Sequence, residues 1–393
     1  MDKKTKIALI NTYYKERSTG STCYDIVQSF NNEKYECRCC YFVNDGNYDY
    51  AKFLGMKYDK LFHSAVSHFI GLEGYASTST TKKLIDYLLV YQPDIVHLFV
   101  LHSHILNLKM VFEMLNELNC KVFVHLDDCW WFTGKCMYPI KHDCTKFTTQ
   151  CDNCPARHDS PNSYFFDFSK KMQKDKSSYF SIVKSLSAIG VSNWVKLQAE
   201  KSSVFKERKV HLLNNWIDES IFYPDNIERN STNKLLFVSS MWPKDSSKYR
   251  YLIQLYSLLK DEFEFTVVGD TCGNDMKTMN AIGVINNTND LAQIYRTHGI
   301  YVHLSEFDTF GKVVMEAIFC GTPVVAFNNT VMKEVIADCG EVAINKDIND
   351  LAKHVNIVRN NLSQYRNNIK KRDLSAYTKN VAMKLLENIY LYG

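Results

Sequence analysis

The chain has 393 residues, 46% hydrophobic and 23% charged, which allows two or three domains with real cores and excludes a disordered protein. Its formal charge of +4 is too near balance for a dedicated nucleic-acid binder. Thirteen cysteines stand out, yet the apolar stretch Ile7–Ile10 is too short for a secretory h-region and no run of about 18 apolar residues occurs. A cytoplasmic chain with reduced thiols is therefore expected.

Short apolar runs alternate with longer mixed segments, the rhythm of a parallel α/β sheet. Strands are predicted at Lys6–Asn11, Asp94–Val100, Lys121–Leu126 and Ala188–Val191, with helices at Thr81–Tyr91 and Leu106–Leu118. A second series follows, with strands at Lys234–Ser239, Phe263–Val268, Ile300–Leu304, Pro323–Phe327 and Glu341–Ile344. Its helices are Tyr249–Leu259, Asp290–Tyr295 and Lys312–Phe319. The linker is placed near Asn214–Asn226, and Ala376–Leu391 reads as an amphipathic helix. The expected fold is α/β, two doubly wound Rossmann-like domains (1–213 and 214–375) with a central cleft between them. Residues 376–393 would pack back toward the first domain.

The most informative block runs Ser305-Glu306-Phe307-Asp308-Thr309-Phe310-Gly311-Lys312 and on through Glu316-Ala317 to Gly321-Thr322-Pro323-Val324-Val325. A loop holding Asp308 and Gly311 feeds a helix whose free N–H groups and partial positive charge suit a diphosphate. Glu316, one turn in, could accept hydrogen bonds from ribose hydroxyls.

This block resembles the retaining, nucleotide-sugar-dependent glycosyltransferases of the GT-B fold, family four, whose hallmark is an acid, seven residues and a Glu, followed by Gly-Thr-Pro-Val-Val. The likeness covers nearly the whole chain and is closest to the colanic-acid and capsular polysaccharide branch. It implies a hexosyltransferase that moves a sugar from a nucleotide-diphosphate donor to a glycan acceptor with retention, in bacterial surface polysaccharide assembly. Asp308 stands where Glu is more usual. The resemblance gives Glu316 the ribose, and Asp308, Thr309, Phe310 and Gly311 the donor sugar and diphosphate. Relatives place an Arg/Lys pair after the first strand of this domain; here Lys248 and Lys244 are the best cation candidates. Asn215-Trp216-Ile217-Asp218 replaces the family's Asn-Gly-Ile-Asp.

In the first half, Ser18, Thr19 and Gly20 follow the first strand as a small-residue loop that a ligand could approach closely, and they are candidates to bind the diphosphate of the nucleotide-sugar donor. His97 and His102 match two histidines of the branch, and His102 is a candidate substrate contact. In Val124-His125-Leu126-Asp127-Asp128-Cys129-Trp130, Asp127 replaces the family's His; this departs from the role relatives give that imidazole and implies a drift in activity or specificity, with Asp127 itself a catalytic candidate.

Within the cysteine-rich loop 129–155, Cys136, Cys144, Cys151 and Cys154 end in a Cys-x2-Cys hook, the spacing of a tetrahedral zinc site. A structural Zn2+ with a closed thiolate shell is expected there, and no catalytic metal. Cys39, Cys40, Cys320 and Cys339 read as small core residues. Lys170, Lys171, Lys174, Lys176 and Lys184, interleaved with Tyr164, Phe165, Phe166, Phe168 and Phe180, suggest a basic–aromatic face for peripheral contact with the inner side of the cytoplasmic membrane, where a lipid-linked or oligosaccharide acceptor would reside. The competing reading is a non-catalytic carbohydrate- or nucleotide-binding partner on a degenerate GT-B fold, prompted by the thin cation site and Asp127.

Overall fold

The computed structural model describes residues 3–44, 46–225 and 232–393; Met1 and Asn226, which close two of the sequence-based segments, lie outside them. Thirteen strands are assigned among the described residues. The first seven are β1 Thr5–Ile10, β2 Tyr35–Tyr41, β3 Ala51–Phe53, β4 Ile95–Leu98, β5 Lys121–Leu126, β6 Leu186–Gly190 and β7 Val210–Leu212. The second set is β8 Lys234–Met241, β9 Glu264–Asp270, β10 Asn280–Gly283, β11 Ile300–His303, β12 Val324–Phe327 and β13 Gly340–Ala343. The helices of the first half are α1 Arg17–Ser29, α2 Lys57–Ala65, α3 Thr78–Tyr91, α4 Leu108–Leu118, α5 Ser169–Ile182 and α6 Asn193–Lys201. Those of the second are α7 Ser247–Leu259, α8 Thr288–Thr297, α9 Lys312–Phe319, α10 Met332–Ile336, α11 Ile348–Asn360, α12 Leu362–Lys371 and α13 Lys379–Tyr392.

The chain divides into two compact units, Met1–Leu213 with Met383–Gly393, and Asn214–Ala382. Each is built on one all-parallel sheet, in the orders β3-β2-β1-β4-β5-β6-β7 and β10-β9-β8-β11-β12-β13. The predicted strands are present, and the edge strands β3, β7 and β10 and the cysteine-rich β2 are added. The added edges are short and mixed in polarity, so no apolar run announces them. Central strands are buried on both faces, as parallel sheets require: Ile7, Ala8, Leu9 and Ile10 of β1 are fully buried.

In the second unit Leu235, Phe237, Val302, Leu304 and Val325 pack beneath α7 and α11. Each such side chain contributes about 1.5–3 kcal/mol when fully buried. Helix starts are set by short polar side chains: Asn107 caps α4 through the Met110 N–H (3.2 Å), Ser246 caps α7 through Tyr249 (3.2 Å) and Asp347 caps α11 through Asp350 (3.0 Å). Trp216 is buried, so the residue that replaces the family's Gly packs as core. The end of α13 docks in the first unit, where the Tyr390 hydroxyl meets His97 Nδ1 at 2.7 Å and the Tyr35 hydroxyl donates to Glu387 at 2.9 Å. His97 is thus a structural residue.

In both sheets the strand order reverses once, at β1/β4 and at β8/β11. Ligands of open α/β sheets bind beyond the carboxyl ends of the strands at such points.

Candidate functional site

In the second unit, β11 runs into the loop 304–311 and then α9. Gly311 is the residue before the helix, at φ +80°, a left-handed conformation that favours glycine, and a Cβ there would lie 2.5 Å from Met332 Cε. No side chain caps α9, and with the Val314 N–H donating to the Gly311 carbonyl at 2.9 Å, the N–H groups of Lys312 and Val313 remain for a ligand. Asp308 is held from two sides, and one of its partners is itself held. His303 Nε2 lies 2.8 Å from its carboxylate, His303 Nδ1 faces the Tyr301 hydroxyl at 2.9 Å, and the Asp308 N–H donates to Thr330 Oγ1 at 3.0 Å. With Nε2 protonated, the Tyr301 hydroxyl donates to Nδ1 and the relay is complete.

Glu316 follows within α9, only 8% exposed. Burial lifts its carboxyl above the usual carboxylate range, while the Lys312 charge and the Tyr295 hydroxyl, 3.4 Å from Oε2, pull it back. Thr309 lies between Asp308 and Phe310 in the loop. The Phe310 ring is buried, 6.1 Å from that of Tyr377, so only its backbone is available to a ligand. Lys244 is exposed in the loop after β8 and Lys248 is half-buried in the first turn of α7. The Tyr251 hydroxyl ties α7 to the β11 loop by donating to Glu306 at 3.0 Å. Sequence reasoning missed His303, Tyr295 and Thr330. A histidine ending a strand five residues before the first acid was the available signal for His303.

In the first unit, Ser18, Thr19 and Gly20 are not loop residues but the opening of α1, which starts at Arg17. The loop is 11–16 instead, and Thr19 Oγ1 accepts from the Asn11 side chain at 3.2 Å. Gly20 lies close against that loop, where a Cβ would sit 3.3 Å from Tyr13 and Lys15 backbone atoms. After β4, His102 lies 2.7 Å from Asp128. Burial opposes its cationic form, but the Asp128 carboxylate prevails and raises the imidazole above its ordinary value. A second carboxylate-held imidazole in the same loop escaped the sequence reading: buried Glu73 accepts from the His104 backbone N–H at 2.8 Å and pairs with Nδ1 at 2.5 Å. Although burial disfavours its charge, His104 and His63 hold Glu73 down at about 2.

Asp127, at the end of β5, is pushed up to about 8 by burial, then by Asp128, with His102 opposing. Its Oδ2 is buried and has no hydrogen-bond partner. At neutral pH it is therefore a neutral acid able to donate a hydrogen bond, a role an imidazolium could also fill. The native state holds this proton between about 4 and 8 while the unfolded chain releases it, so this residue's contribution to stability falls as pH rises through that window. In Asp127→Asn that fall is expected to vanish, seen as a flatter dependence of Tm on pH by calorimetry.

The zinc expectation is not supported. Among the described residues no group of three or more His, Cys, Asp or Glu side chains could hold a metal ion, and all thirteen cysteines are free. The four thiols do line one small pocket of about 10 Å³. There the Cys136 thiol hydrogen-bonds to Cys154, which holds Cys154 below and Cys136 above the ordinary thiol range, and Cys151 Sγ accepts from the Gly134 N–H at 3.3 Å. The spacing gathers thiols without arranging them as ligands. Cys39, Cys40, Cys320 and Cys339 are buried, as expected.

The basic–aromatic face also needs correction. Tyr164, Phe165 and Phe166 are exposed, as are Lys170, Lys171, Lys174 and Lys184, but Lys176 and Phe180 are buried on the inner side of α5. Helical periodicity separates residues that are interleaved in sequence. No helix of the described residues is long and apolar enough to cross a membrane.

Residues 232–361 match the glycosyl transferases group 1 family. The chain is 24% identical over 269 residues to WcaC of Escherichia coli (strain K12), named as a putative colanic acid biosynthesis glycosyl transferase, an alignment covering 65% of each protein. It thus spans just under two thirds of that relative's length. Among solved structures, the sucrose-phosphate synthase of Thermosynechococcus elongatus superposes with a TM-score of 0.70 at 13% identity, over 99% of this chain and 98% of the other. Anabaena HepE in complex with UDP-glucose superposes with a TM-score of 0.66 at 12% identity, over 98% of each chain. At these identities the structures establish the fold. Residues 232–361 thus form a glycosyl transferases group 1 domain, in a chain with the GT-B fold of two Rossmann-like units and with homology to WcaC.

Proposed function

We propose that this protein is a retaining hexosyltransferase that moves a sugar from a nucleotide-diphosphate donor to a glycan acceptor. The observation that carries the reading is the held Asp308, the left-handed Gly311 and the buried Glu316 on one loop and helix at the β8/β11 reversal. HepE, which shares the fold, is described with UDP-glucose bound. In this reading Glu316 accepts from the ribose hydroxyls, and the α9 N-terminus with Lys244, Lys248 and Lys312 takes the diphosphate. Asp308, Thr309 and the backbone around Phe310 touch the donor sugar.

The bond from the anomeric carbon to the diphosphate oxygen breaks and a bond to the acceptor oxygen forms on the same face. The diphosphate leaves with the electron pair of the broken bond, and its departing oxygen takes the proton of the acceptor hydroxyl. Negative charge grows on the diphosphate, so N–H groups and cations aimed there supply the main stabilisation. The first unit takes the acceptor, with His102 and Asp127 as its polar contacts, while the Ser18–Gly20 turn adds N–H groups for the diphosphate. The acceptor in this reading is a lipid-linked or oligosaccharide one of surface polysaccharide assembly, used at the cytoplasmic face of the membrane; the likeness to WcaC, named for colanic acid biosynthesis, supports a glycan acceptor.

Screening nucleotide sugars by thermal shift tests the donor assignment, because a ligand at 100 times its Kd adds about 2.7 kcal/mol. The expected result is a raised Tm with one nucleotide-diphosphate sugar, and a product with the donor's anomeric configuration by NMR. Binding without transfer or donor hydrolysis would favour the non-catalytic binding partner. No shift with any nucleotide-diphosphate sugar would overturn the donor reading.

A further inference from the structure

Helix α2 is built inside out. The residues it presents to solvent are Tyr58, Leu61 and Phe62, at 84%, 57% and 65% exposure, and the π-helical turn Val66–Ile70 that extends it adds Phe69 and Ile70. The inward face is polar. His63 and Ser67 are buried, His63 Nδ1 lies 2.9 Å from Ser77 Oγ, and His63 Nε2 accepts from the Gly74 N–H at 2.9 Å. Asp59 turns in to accept from the Thr80 N–H at 2.6 Å, at the start of α3. This satisfied network fixes the helix with its apolar stripe outward.

A second apolar strip lies against the first. The Tyr164 N–H donates to the His68 carbonyl at 2.7 Å, and the Phe165 ring stacks on Phe69 at 6.2 Å. Phe166 is exposed beside them. The resulting patch is contiguous and aromatic, the kind of surface that marks an interaction site.

Charge selects the occupant. Segment 57–70 contains Lys57, Lys60 and one acid, Asp59; segment 163–174 contains Lys170, Lys171, Lys174 and one acid, Asp167. Both acids are drawn inward, Asp167 by the N–H groups of Cys154 (2.7 Å) and Ser169 (2.9 Å). Just past the second segment, Asp175 pairs with Lys171, so what remains outward is apolar with Lys57, Lys60, Lys170 and Lys174 as its cations, the complement of an anionic lipid surface, where aromatic rings enter the acyl boundary and lysines stay among the headgroups. We propose that α2, its π-helical extension and the Tyr164–Phe166 strip form the face by which this protein docks on an anionic bilayer. The proposal rests on the lipid-linked acceptor reading only for its purpose, since binding is measurable without any donor.

The test is flotation of the full chain with phosphatidylcholine vesicles, with and without about 30% phosphatidylglycerol. Flotation is expected only with the anionic vesicles and should weaken at high salt. The variant Phe62→Ser/Phe69→Ser, altered only at exposed positions, should keep its Tm and its thermal shift with nucleotide sugar. Its vesicle affinity should fall at least about 10-fold. Lys57→Glu/Lys60→Glu should lose binding to anionic vesicles in the same way. Absence of flotation, or flotation unchanged in the double-serine variant, would overturn the proposal. So would light scattering without vesicles that shows a wild-type dimer made monomeric by the serine changes, since a second copy would then own the patch. Retention of the nucleotide-sugar thermal shift in each case separates these outcomes from failure of the donor assignment.

Discussion

Replacing Glu316 with Ala is expected to lower kcat/KM by about 100- to 1,000-fold, since two ribose hydroxyls would lose a charged acceptor and a buried partner at once, worth roughly 3–4 kcal/mol. Glu316→Gln, which keeps the shape and one acceptor, should cost about 10- to 100-fold. The direction of the stability change distinguishes this role from a structural one. Burial raises the Glu316 carboxyl above its ordinary value, so carrying the charge in the native state at neutral pH opposes folding. That penalty sets in as pH rises above the unfolded value, and the glutamine variant escapes it. Its Tm is therefore expected to rise in the absence of donor while its thermal shift with nucleotide sugar is lost. A variant that melts earlier and loses activity in proportion would reassign Glu316 to the fold.

The second large effect concerns Lys176. Its ammonium is buried beneath the cysteine-rich loop, donating to the carbonyls of Trp130 (2.5 Å), Thr133 (3.1 Å) and Gly134 (3.4 Å), with Nζ 3.8 Å from the Trp130 ring centroid. Lys176→Met leaves three carbonyls without their donor and is expected to destabilise the first unit by about 3–5 kcal/mol. For a unit of this size that is a fall in Tm of roughly 6–20 °C, read as a shift of one calorimetric transition with the other unmoved. Burial also pulls the amine from 10.5 down to about 7. Between those values the unfolded chain binds the proton and the native state does not, so this residue's contribution to stability rises with pH across that window. The methionine variant should lose that rise. If the variant matched the wild type in Tm at every pH, Lys176 would not be holding the loop.

The parts of the site that were legible in sequence are those whose partners are local. Asp308, Gly311 and Glu316 sit on one loop and one helix, so a strand followed by a glycine, a helix period and Gly-Thr-Pro brings them together whatever surrounds them. Even there, the loop expected at Ser18–Gly20 is the first turn of a helix, because nothing in three small polar residues fixes where α1 begins. Partners far apart in the chain were not legible. Glu73 and His104 are separated by 31 residues, His102 and Asp128 by 26, and Lys176 and Trp130 by 46. Sheet order and helix packing bring these pairs together, and neither residue of a pair signals the other.

The sequence by itself determined two parallel α/β units and the strand–loop–helix geometry at Asp308–Glu316. Alternating apolar runs and one glycine with positive φ act over a few residues and need no tertiary partner. The tertiary structure decided what the remaining motifs mean. Four cysteines at zinc spacing became free thiols around a small pocket, because spacing sets proximity but not the direction of each Sγ. Lys176 and Phe180 turned inward, while Tyr58, Leu61 and Phe62, which periodicity alone would assign to a core, turned outward. A helix has an apolar side in either case. Which way that side faces depends on where the buried polar groups, here His63, Ser67 and Asp59, find their hydrogen bonds.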